Sequence, residues 1–173
     1  MWRHLLLLRH GKSAWDTGAL DDFGRPLARR GERDTRRMGK WMHEEGLIPD
    51  YVLSSPALRT KETSYRVCKS LDIPKHDIHF DPRLYLADVS ALLAALADCP
   101  ALCKEILLVG HNPGMEDLLA YLCGGKAAVP EDGKLMPTAT LARLRLPDDW
   151  SRLEYGCARL VSLTRPRSLP AAD

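Results

Sequence analysis

This chain of 173 residues predicts a three-layer α/β/α sandwich, with a mostly parallel central sheet and helices on both faces. Three observations predict it. Short apolar runs, Leu5–Leu8 and Ile106–Val109, alternate along the chain with stretches of helical periodicity. Each of those runs delivers a histidine, in Arg9-His10-Gly11 and in Gly110-His111-Asn112-Pro113-Gly114, and strand ends are where α/β sheets hold ligands. The length suits one domain with a substantial core.

The elements follow from periodicity and punctuation. A strand is expected over His4–Arg9, then a loop from His10 to Pro26 carrying Gly11, Gly18 and Gly24 with Asp16, Asp21 and Asp22. A helix over Gly31–Glu45 presents Met38, Trp41 and Met42 on its apolar face and stops at Gly46. Tyr51–Leu53 reads as a short strand, with Ser54-Ser55-Pro56 capping a helix over Ala57–Leu71. The stretch up to Pro82, rich in Pro, Asp and His, reads as loop. Ser90–Ala97 reads as helix and Glu105–Val109 as a buried strand. Pro113 sits near the first turn of a helix that ends at Gly124-Gly125. Thr140–Leu146 and Tyr155–Leu163 read as two closing strands that could pair as a hairpin, making the sheet mixed. Residues 1–165 are expected to form a single domain and 166–173 a flexible tail.

Bulk composition sets limits. Hydrophobic residues at 45% and charged residues at 28% are ordinary for a globular protein. A net charge of +2 argues against a broad nucleic-acid surface but not against a local cationic pocket. The five cysteines (68, 99, 103, 123 and 157) are odd in number and include no CxxC, so reduced thiols in a cytoplasmic protein are expected. No signal peptide or membrane span is read from the sequence.

The chemistry-bearing residues converge on phosphate. His10 has a ring nitrogen able to attack phosphorus, and the adjacent Arg9 supplies a fork of donors matched to phosphate oxygens. Gly11 allows close backbone approach to a ligand. Arg59, in Ser54-Ser55-Pro56-Ala57-Leu58-Arg59, falls on the first turns of a helix, where N–H groups also favour anions. His111 is placed to donate to the equatorial oxygens of a transferring phosphoryl group. Gly11-Lys12-Ser13 is not a P-loop, because the glycine required five positions earlier is Leu6. His76-Asp77-Ile78-His79 reads as a solvated loop rather than a metal site.

Together these blocks resemble the histidine phosphatase superfamily, with its phosphoglycerate-mutase-like fold. Arg9-His10-Gly11 matches the family's Arg-His-Gly, Ser54 to Arg59 its Ser-Ser-Pro-x-x-Arg, and Gly110-His111 its Gly-His. Arg25-Pro26-Leu27, Leu84-Tyr85-Leu86-Ala87 and the short chain look most like the SixA-like branch, associated with phosphohistidine phosphatase activity. The resemblance implies His10 as nucleophile and Arg9, Arg59 and His111 as the phosphate pocket. Gly11, Ser13 and Asp16 are the further substrate-binding candidates, and Trp15 anchors the loop. It implies no metal and no organic cofactor. The partner is expected to be a phosphorylated protein, possibly a phosphohistidine protein, or a small phosphoester, with no nucleic acid and no membrane.

Two positions depart from the family pattern. The glutamate that many relatives use as general acid has no counterpart in Leu84-Tyr85-Leu86-Ala87-Asp88, leaving Asp16, Asp88 or water to handle the leaving-group proton. The family's phosphate-binding Asn is Asp16 here, and an ionised carboxylate cannot donate to phosphate. The expected activity is a phosphatase with a covalent phosphohistidine intermediate, favouring phosphohistidine or other good leaving groups. The alternatives are a phosphoprotein-binding module with little turnover and a phosphoglycerate-type mutase.

Overall fold

Four consecutive leucines decide the layering. In a strand, neighbouring side chains point to opposite faces, so Leu5 and Leu7 enter one core while Leu6 and Leu8 enter another. An element buried on both faces must lie at the centre of the sheet. The computed structural model describes residues 2–171 and places this strand, β1 (Arg3–Arg9), fourth in a six-stranded sheet.

The other strands are β2 (Tyr51–Ser54), β3 (Ile78–Phe80), β4 (Glu105–Gly110), β5 (Leu141–Leu146) and β6 (Arg159–Thr164), in the order β3-β2-β4-β1-β5-β6. The pairs β3·β2, β2·β4 and β4·β1 are parallel, whereas β1·β5 and β5·β6 are antiparallel. The sheet is therefore mixed and the last two strands pair as expected. Helices α1 (Arg29–Glu44) and α2 (Leu58–Ser70) cover the face that receives Leu6, Leu8, Leu107 and Val109. Helices α3 (Val89–Ala97) and α4 (Gly114–Leu122) cover the face that receives Leu5, Leu7, Ile106 and Leu108.

Three expectations need correction. The stretch before Pro82 contains β3, a three-residue edge strand whose His79 stacks on Tyr51 at 4.3 Å. Strand β6 starts at Arg159 rather than Tyr155, because Gly156 adopts φ +74 and Cys157 N–H closes a turn on Glu154. The chain after 165 is not frayed where it is described. Pro166–Ser168 forms a 3-10 turn, Pro166 is buried, and Arg165 pairs with Asp132 at 2.6 Å. Residues 172 and 173 lie outside the described residues.

All five cysteines are free, four buried and Cys157 half-buried. Among the described residues no helix is long and apolar enough to cross a membrane.

Candidate active site

Parallel register brings the histidines together. Arg9 pairs with Gly110, so the next residues, His10 and His111, leave adjacent strands side by side. His10 N–H donates to the Gly110 carbonyl at 3.1 Å, and the two rings lie 5.3 Å apart. Strand β2 flanks β4 on the other side, with Ser54 opposite Val109 and Ser55 N–H donating to the Val109 carbonyl at 3.0 Å. Three neighbouring strand ends thus align Ser55, His111 and His10.

The ring of His10 is buried and its tautomer is dictated. Nδ1 lies 2.7 Å from the Gly11 carbonyl, and a carbonyl only accepts. Nδ1 therefore carries the proton and Nε2 the lone pair. Burial lowers the His10 pKa to about 3, against a smaller opposing effect of the Gly11 bond, with His111, Arg59 and Arg9 adding repulsion. His111 is lowered to about 4, mainly by burial and then by Arg59. Both imidazoles are neutral at neutral pH.

Around them sit buried nitrogens without hydrogen-bond partners: Arg9 Nε, Arg59 Nε and His111 Nδ1. Buried polar groups are nearly always satisfied, so three orphans in one place mark a site built for a hydrogen-bonding guest. Arg9 spends Nη1 on the Met136 carbonyl at 3.1 Å, and Asn112 Nδ2 donates to the same oxygen at 3.0 Å. Arg59, second residue of α2, is held from the opposite side. Its Nη1 donates to the Asp22 carbonyl at 2.8 Å and its Nη2 to Asp22 Oδ2 at 3.0 Å.

Asp22 is the residue the sequence reading passed over. Its carboxylate also accepts from Tyr85 Oη at 2.6 Å and from Arg25 Nε at 3.1 Å and Nη2 at 2.9 Å. The Tyr85 bond, followed by those of the arginines, holds Asp22 well below the usual carboxylate range. It is thus an ionised clamp, not a proton donor. The same bond raises the Tyr85 pKa, so that phenol is a poor acid as well. Tyr85 packs edge-on against His111 with ring centres 5.5 Å apart.

The other candidates take varied places. Ser13 is buried and its Oγ accepts from Arg25 Nη1 at 2.7 Å, so it reaches Arg59 through Arg25 and Asp22. Trp15 is exposed and stacks under the Arg25 guanidinium at 3.7 Å. Asp16 is exposed on the same loop, with no hydrogen bond or ion pair among the described residues. Asp88 accepts from Ala91 N–H at 2.9 Å and caps α3. Gly11 serves helix packing: a Cβ there would lie 2.8 Å from Thr35 Cγ2 and 2.9 Å from the Gly31 carbonyl.

The serines do not cap α2. Its N-cap is Ala57, without a side-chain bond, and the Phe23 carbonyl accepts from Leu58 N–H at 3.0 Å. Ser55 Oγ instead lies 2.8 Å from His111 Nε2, and Ser54 Oγ accepts from Ser64 at 2.8 Å. His76 is exposed beside Asp77, and no cluster of three or more metal-ligating side chains occurs among the described residues.

Two neutral histidines and Arg9 at the strand ends, with Arg59 facing them from the first turn of α2, define a phosphoryl-transfer class, and known proteins of that class resemble this chain. A family model described as histidine phosphatase superfamily (branch 1) matches residues 5–85. An uncharacterized Mycobacterium tuberculosis protein is 34% identical over 164 residues, covering 92% of this chain and all of the relative. Phosphohistidine phosphatase SixA of Escherichia coli is 29% identical over 147 residues, 83% of this chain and 86% of SixA. Among solved structures, SixA complexed with tungstate superposes with a TM-score of 0.79 at 27% identity, covering 95% of this chain and 98% of that one. The chain belongs to the histidine phosphatase superfamily, in its SixA-like branch.

Proposed function

We propose that this protein is a cytoplasmic phosphohistidine phosphatase in which Nε2 of His10 is the nucleophile. The observation that carries the reading is the fixed tautomer of a buried, neutral His10 beside three orphan donors. The five free cysteines fit a reducing compartment.

In the first step the Nε2 lone pair forms a bond to phosphorus while the bond from phosphorus to the substrate nitrogen breaks; that electron pair stays on the substrate ring, which carries a proton on its other nitrogen and leaves as neutral imidazole. Arg9 and Arg59 Nε–H donate to phosphoryl oxygens, where charge builds in the transition state. Ser55 Oγ already accepts from Ala57 N–H at 3.4 Å, so its O–H donates to His111 Nε2 at 2.8 Å, which leaves Nδ1–H as a third donor. In the second step water attacks phosphorus, the nitrogen–phosphorus bond breaks, His10 recovers its lone pair, and inorganic phosphate departs with the water's proton passed to solvent. Asp22, with Ser13 and Arg25 behind it, holds Arg59 in place and does not touch the reacting atoms.

The substrate class follows from the missing acid. Asp22 is held ionised, Asp88 caps a helix, and Asp16 stands exposed on its loop. Imidazole, with a pKa of about 6.5, leaves without strong acid help, whereas an alkoxide does not. The substrate is therefore a phosphohistidine protein, or a small phosphorylated molecule with a comparably good leaving group. The tungstate held by the SixA relative is a tetrahedral oxyanion of the kind this pocket suits. Brief mixing with radiolabelled phosphohistidine protein should leave an acid-labile label on His10. An acid-stable label, or one at another residue, would sink the mechanism.

A further inference from the structure

Beyond the 136–139 segment that contacts Arg9 and His10 lies a cavity of about 340 Å³, between α1 and the segments 132–138 and 165–167. Arg30, Arg33 and Arg37 line one wall at helical spacing, and Lys134, Arg165 and Arg167 line the other. Only two carboxylates, Asp34 and Asp132, face these six cations. Asp132 is spent on Arg165 at 2.6 Å and Arg167 at 3.3 Å, and Asp34 sits 3.7 Å from Arg30. Arg33 and Lys134 are exposed, and neither side chain has an ion pair among the described residues, although Lys134 N–H donates to Asp132 Oδ1 at 3.0 Å. Arg37 Nε is buried and unpartnered, though its Nη1 reaches the Pro166 carbonyl at 3.5 Å. An excess of four positive charges here stands against +2 for the whole chain, so positive charge is concentrated on this face.

We propose that this cleft binds an acidic segment of the phosphorylated protein substrate and docks it for reaction at His10. The assignment rests on the phosphohistidine-protein reading above. Position supports it. The wall is shared: Met136 gives its carbonyl to Arg9, Pro137 and Thr138 line the cleft, and Ala139 N–H donates to the His10 carbonyl at 2.9 Å. Size supports a polypeptide over a small anion, because the basic surface continues across α1 into a groove where Arg29, Arg33, Arg36, Arg66 and Lys69 face one carboxylate, Glu32, which pairs with Arg66 at 3.5 Å. Chemistry favours it over single-stranded nucleic acid, since no aromatic side chain lines the cleft for base stacking.

The probes are two phosphohistidine peptides of equal length, one flanked by glutamates and one by glutamines, together with the fluorescently labelled unphosphorylated glutamate peptide. At low salt kcat/KM should favour the glutamate peptide at least about ten-fold, falling with added salt. Arg33→Glu with Lys134→Glu should remove that preference and weaken binding of the labelled peptide at least about ten-fold. The same variant should leave turnover of the glutamine peptide unchanged. Arg33→Gln with Lys134→Gln should give the same pattern more mildly and guards against misfolding. Equal treatment of both peptides, a variant that loses both alike, or an oligonucleotide that displaces the labelled peptide at lower concentration than the peptide itself would overturn the cleft assignment. Salt-sensitive binding of the labelled peptide without turnover of either substrate would support the cleft and sink the phosphohistidine reading.

Discussion

One hydrogen bond decides what His10 can do. With Nδ1–H donated to Gly11, only Nε2 can attack, and burial keeps the ring neutral far below its ordinary pKa of 6.5. Ring carbon shifts of His10 should accordingly stay constant from pH 7 to pH 5 in phosphate-free buffer. A midpoint near 6.5 would mean that the ring is solvated. Stability follows by linkage. Below pH 6.5 the unfolded chain takes up protons that buried His10 and His111 refuse, so the folded state loses about 1.4 kcal/mol per pH unit for each histidine. His10→Asn should therefore lose about 2 kcal/mol less than the parent between pH 6.5 and 5 in denaturant titrations. Ser55 acts through His111. Ser55→Ala leaves His111 free to take the wrong tautomer, and kcat should fall about ten- to a hundred-fold with KM little changed. Unchanged kcat would remove Ser55 from the account. Of these residues, His10, Arg9, Arg59 and His111 were legible in the sequence because each stands in a recognisable block at the end of an apolar run or the start of a helix. Asp22 was not, since its partners Arg59 and Tyr85 lie 37 and 63 residues away and only the fold brings them together.

The elements place the site through register and close approach. Strands β2, β4 and β1 present Ser55, His111 and His10 because their parallel pairing brings those strand ends level. The loop carrying His10 and Lys12 is braced from outside by α1. A Cβ at Gly31 would collide with the Lys12 carbonyl oxygen, a contact that backbone must move to relieve. Gly31→Ala should cost about 1–3 kcal/mol in denaturant unfolding, and should also cut activity by displacing the nucleophile's loop. Unaltered stability and activity would show that this contact does not position the site. Most elements could be read ahead because their apolar periodicity is strong. Strand β3 could not, since three residues carry no period and its place depends on pairing with β2. The turn at Pro166 was equally hidden: it is held by Arg165 on Asp132 and by packing on α1, partners far off in sequence.

At the scale of the whole molecule, the sheet collects positive charge at one end, while Asp22 is held ionised and Asp88 is occupied in capping α3, so neither is placed to protonate a leaving group. That combination separates substrates by chemistry. Imidazole, or a phenolate, departs from phosphorus with little acid help, whereas a serine alkoxide needs a proton in the transition state. The fold class was legible from alternating apolar and helical stretches, but charge distribution was not. A net charge of +2 conceals the six cations that α1 and the 134–167 segments gather into one cleft. The most direct test is initial phosphate release from a phosphohistidine-bearing protein and from a phosphoserine peptide, side by side, with His10→Ala as the blank. Release from phosphohistidine should be faster by orders of magnitude and vanish in the variant. Comparable release from phosphoserine would reveal a proton donor that this geometry lacks, and would contradict the account.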